Sequence, residues 1–82
     1  MLIPSNYMQP IVTLSHDLAA EAYTKASAEY DNVEEAASRA SVPGDARTRL
    51  AAKLKLSDVP QSVWFAFLAA FHSAVAAYAS QT

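Results

Sequence analysis

Residues Val63 to Ala79 read VWFAFLAAFHSAVAAYA, apolar apart from His72 and Ser73, and where this segment is hidden decides the fold. No Asp, Glu, Lys or Arg occurs anywhere from Val59 to Thr82. A helix that is apolar around most of its circumference belongs in a core, a bilayer or a subunit contact, and a chain of 82 residues has little core to wrap it. At about 100° per residue, Val63, Trp64, Phe67, Leu68, Phe71, Val75 and Tyr78 form one bulky face. The opposite face is small: Ser62, Ala66, Ala69, Ala70, Ser73, Ala76, Ala77 and Ser80, flanked by Phe65 and His72. If the bulky face fills the chain's own core, the small face stays outside, where it admits another helix at close range. Phe65, Ala69, His72 and Ala76 are therefore the expected self-association residues, and a two-fold pair of these helices would be self-complementary. A homodimer is the simplest such assembly.

Composition points the same way. With 52% hydrophobic residues, 17% charged residues and one glycine, the chain is too apolar for disorder and too poor in turn formers for a many-stranded sheet. Its apolar content leans on alanine, the best helix former. The expected class is all-α, a compact three-helix bundle. There is no cysteine, so neither disulfides nor thiolate metal sites can supplement the small core. Association is the remaining support.

Working outward from the apolar segment, Asp58 with Gln61 has capping-box spacing and Pro60 suits a first helical turn, which predicts a helix over 59–79. Before it, Leu50 and Leu54, with Ala46 and Ala51, mark the buried edge of a short basic helix over 46–56, with Arg47, Arg49, Lys53 and Lys55 outside. Val42, Pro43, Gly44 and Asp45 form a stop, read as a type II turn followed by an Asp45 cap. Upstream, a long acidic helix is expected over 15–41, capped by Ser15, with Leu18, Ala22, Ala26, Tyr30, Val33, Ala37 and Ala40 as its dry stripe. Residues 1–14 contain Pro4 and Pro10 beside Leu2, Ile3, Tyr7, Met8, Ile11, Val12 and Leu14. They are expected as an extended arm laid over a single helical domain at 15–82.

Charge is unevenly laid out. Residues 1–42 carry six acidic against two basic side chains, and residues 43–58 carry four basic against two acidic, giving −4 and +2 and a net charge of −2. That suits contact between segments or subunits better than attraction to nucleic acid, which requires a basic face. The N-terminal residues lack the positive start and long apolar run of a signal peptide. A cytoplasmic location is the expectation.

Chemistry is sparse. The two imidazoles, His16 and His72, stand in no nucleophile, base or metal-ligand pattern, so no catalytic residue, cofactor, metal or small-molecule substrate is expected. Residues 46–66 follow a degenerate helix-turn-helix rhythm, the alternative reading being a DNA-binding regulator. Its second helix, however, offers Val63, Trp64, Phe65 and Phe67 where base readers would be Arg, Lys, Asn or Gln. Val63 to Ala79, at 17 residues, sits at the lower limit for crossing about 30 Å of hydrocarbon, which keeps a membrane-active helix as a further alternative. The leading expectation is a small acidic non-enzymatic protein that works by stoichiometric protein–protein binding, as an adaptor, subunit or inhibitor of a larger complex, in the manner of small viral or mobile-element inhibitors. Glu21, Glu29, Asp31, Glu34 and Glu35 would be its surface against a basic target.

Overall fold

The computed structural model describes residues 3–81. Four helices follow in order: α1 Ser5–Glu29, α2 Val33–Arg39, α3 Ala46–Leu54 and α4 Gln61–Ser80. No strand occurs among the described residues. The all-α class is as expected, but there are four helices where three were expected, and two boundaries differ from expectation.

The first is at the N-terminus, where Ser5 to Leu14 are helical and not an extended arm. The spacing Tyr7, Ile11, Leu14, Leu18 continues the dry stripe straight through Pro10, and Ile11, Leu14 and Leu18 are buried. Pro10 removes one backbone donor, which leaves the Asn6 carbonyl without its helical partner; Asn6 is exposed, so water can serve it. A proline inside a helix costs about 3 kcal/mol, while burying Ile11 and Leu14 contributes about 1.5–3 kcal/mol each. Burial wins. Ser15 is accordingly no helix cap: it is fully buried inside α1, and its Oγ donates to the Ile11 carbonyl at 2.6 Å. Leu2 and Thr82 lie outside the described residues.

The second boundary splits the expected 15–41 helix. Tyr30 turns extended and ends α1, and Asn32 starts α2, its Oδ1 accepting from the Glu35 backbone N–H at 3.0 Å. This cap replaces the Asp31 carbonyl that the Glu35 N–H would have used in a continued helix, and the break re-phases the chain: Ala36, off the expected stripe, becomes the buried residue of α2, and Val33 is left exposed.

The Pro43–Asp45 stop is present with different geometry. Ala46 N–H donates to the Pro43 carbonyl at 3.1 Å, Asp45 sits at φ −95°, ψ 9°, and Gly44 does not have positive φ. This is a type I turn centred on Gly44 and Asp45, not a type II turn on Pro43 and Gly44. Asp45 makes no side-chain cap. Helix α3 ends when Lys55 adopts the left-handed conformation and Leu56 N–H donates back to the Ala51 carbonyl at 2.9 Å, a Schellman-like reversal. The expected Asp58 to Gln61 box does not form: Asp58 Oδ1 instead accepts from the adjacent Val59 N–H, and α4 starts at Gln61 behind Pro60.

Helices α1 and α4 make the most extensive contact. Arg49 reaches Glu21, and Arg47, on the same short helix, reaches the Val59 carbonyl and the Trp64 ring. Helix α4 thus begins beside the later half of α1, and further along it the Phe67 carbonyl lies at Ser15, so α4 runs antiparallel to α1. The core holds Phe67, Phe71 and Val63 of α4, Leu14 and Leu18 of α1 and Leu50 of α3, all essentially without exposure.

Candidate functional site

Only Val63, Phe67, Phe71, Ala74 and Val75 of the 20 residues in α4 are buried. Trp64, Leu68 and Tyr78, also expected on the bulky face, pack at its edges. Trp64 stacks on Phe67 with ring centroids 5.1 Å apart, and Phe67 meets Phe71 at 6.2 Å. Burial of this inner face decides which residues point away from it. Phe65, Ala69, His72 and Ala76 all lie on the outside, Phe65 at 57% exposure. His72 leans edge-on against Phe71 of its own helix, centroids 5.6 Å apart. The four residues expected to associate thus share one outward strip, bordered by Ser73, Ala77 and Ser80, with no charge along it. Helix α4 is also long and apolar enough, by length and composition, to cross a membrane.

The acidic residues are not gathered as simply. Glu21 pairs with Arg49 at 3.5 Å and Glu35 with Arg39 at 3.2 Å, so two of the five acids face a cation of the same chain. Glu21 thereby ties α1 to α3. Glu29, Asp31 and Glu34 are exposed around the α1–α2 break. An open cleft of about 580 Å³ lies beside them, with Glu21, Lys25, Glu29, Tyr30 and Arg39 among its lining residues; both signs of charge occur there, so it selects neither anions nor cations.

The basic helix α3 is likewise partly engaged. The Arg47 guanidinium sits 4.9 Å from the centre of the Trp64 ring, Arg49 is held by Glu21, and Lys53 and Lys55 remain exposed. A phosphate-binding row over 46–66 would have to draw Arg47 and Arg49 away from these contacts. Among the described residues no three His, Asp or Glu side chains converge as metal ligands would.

Met8 and Val12, in the segment expected as an extended arm, are exposed apolar residues on α1, at 45% and 41%. Their i,i+4 spacing was the available signal. Comparison with protein families, curated proteins and solved structures yields no match for this chain.

Proposed function

We propose that this protein acts by stoichiometric contact with another protein, as a non-enzymatic adaptor, small subunit or inhibitor of a larger complex, docking through the outward face of α4. The observation that carries this reading is Phe65: a large aromatic left more than half exposed on a strip free of charge. Aromatic side chains are the usual anchors of binding energy at protein interfaces, and charged residues are depleted at interface centres. Glu29, Asp31 and Glu34, exposed at the α1–α2 break, would add attraction to a basic region of the target and speed the encounter.

A lipid partner fits the surroundings less well. Inserting α4 would strip cover from Ile11, Leu14 and Leu18, at about 1.5–3 kcal/mol for each side chain exposed. The test is affinity capture from the native host with the wild type beside Phe65→Asp and Glu34→Lys, with vesicle flotation run in parallel. Loss of a captured protein with Phe65→Asp, at unchanged helicity, is the expected result. Flotation of the wild type with vesicles and no captured protein would replace this reading with the membrane one.

A further inference from the structure

The break at Tyr30 leaves an arginine held in place with its donors unused. The Arg39 Nε donates to Glu35 Oε1 at 3.2 Å, and the guanidinium carbon lies 5.5 Å from the centre of the Tyr30 ring. Its two terminal nitrogens make no hydrogen bond or ion pair with any described residue. A guanidinium steadied at two points loses less freedom on binding, and its planar fork matches the two oxygens of a carboxylate. Arg39 borders the cleft of about 580 Å³ between α1 and the connector Ser41–Gly44, a size usual for small-ligand sites.

The other charges of the cleft narrow the ligand. Glu21 is already paired with Arg49, whereas Lys25 and Glu29 on the α1 wall have no partner among the described residues. Two cations and one carboxylate therefore remain open. A purely anionic ligand meets Glu29, and a purely cationic one meets Arg39 and Lys25. A molecule carrying both charges satisfies all three. Helix α1 also ends at Glu29 with no basic residue in its last turn, so the negative end of its dipole adds to the attraction for a cation there. The lining residues Ala22 and Ala26 are small and nearly buried, leaving room for a short aliphatic group. We propose that this cleft binds a small zwitterion, a free amino acid or a dipeptide, with its carboxylate on the Arg39 fork beside Lys25 and its ammonium at Glu29.

The test is a proton–nitrogen NMR titration of the full chain with L-leucine and with the dipeptide alanyl-leucine. It is followed at the amide of Gly44, the single glycine of the sequence and a lining residue of the cleft. A saturable shift of that signal is expected, and the tighter of the two probes sets the ligand's length. The N-acetyl and the amide derivatives of that probe, each keeping one charge, are expected to bind at least about tenfold more weakly, as loss of one charge-assisted hydrogen bond requires. Arg39→Lys, which keeps the charge and loses the fork, and Glu29→Gln are expected to weaken binding by a similar factor at unchanged helicity. Equal affinity for the N-acetyl derivative overturns the ammonium site, and wild-type affinity in Arg39→Lys overturns the carboxylate fork. The absence of a saturable Gly44 shift at the solubility limit of both probes overturns the site altogether. Phe65→Asp leaves zwitterion binding unchanged, so this site and the α4 docking face can each fail without the other.

Discussion

The guanidinium of Arg47 lies 4.9 Å from the centre of the Trp64 ring and hydrogen-bonds the Val59 carbonyl at 3.5 Å, so one side chain of α3 holds both the approach to α4 and its first turn. An Arg over an indole contributes about 0.5–1 kcal/mol at an exposed site. Arg47→Ala is expected to lower stability by that amount in urea denaturation and to change the Trp64 emission spectrum. An unchanged spectrum would show the stacking to be absent in solution.

Ser15 is expected to separate a lost hydrogen bond from lost space. Its Oγ donates to the Ile11 carbonyl and lies 3.3 Å from the Phe67 carbonyl, which places the backbone of α4 directly against the Ser15 side chain of α1. Ser15→Ala should cost no more than about 1 kcal/mol. Ser15→Leu should cost about 1–3 kcal/mol because it forces the helices apart. Equal effects in thermal denaturation would refute the tight crossing.

Two backbone positions allow stabilising changes. A Cβ at Gly44 would meet no atom within 4 Å and its φ is not positive, so Gly44→Ala should gain about 0.4–1 kcal/mol by restricting the unfolded chain. Lys55, at φ 58°, is strained in the opposite sense, and Lys55→Gly should gain up to about 1 kcal/mol. Denaturant midpoints read both.

Phe65 and Phe71 are expected to behave as opposites on one helix. Phe71→Ala empties a position of zero exposure and should cost about 3–5 kcal/mol, much of the stability of a domain this small. Phe65→Asp should leave the melting temperature nearly unchanged and abolish docking.

The extent to which the sequence disclosed this molecule follows from which forces act locally. The inner face of α4, the buried edge Ala46–Leu50–Leu54 and the stop at Pro43–Asp45 were legible because periodicity and turn residues act within a few positions. The helical state of Ser5 to Leu14 was not inferred, because Pro10 signals locally against a helix while the burial that overrides it comes from α4, some 60 residues away along the chain. The break at Tyr30 was recoverable in principle: Asn32 followed by Glu35 is a cap signal, but alanine-rich periodicity on both sides concealed it. The strip Phe65–Ala69–His72–Ala76 was visible once the opposite face had been assigned to the core. The engagement of Glu21 by Arg49 was not, since it depends on how α3 lies against α1.

With every Asp, Glu, Lys and Arg outside the α4 segment, the molecule has the character of a surfactant, ionic on one flank and oily on the other. Added sulfate, which is excluded from apolar surface, should therefore drive its copies together, whereas an assembly joined by ion pairs would come apart as ionic strength rises. The protein should also collect at air–water boundaries during handling, with the charge-free strip turned out of the liquid.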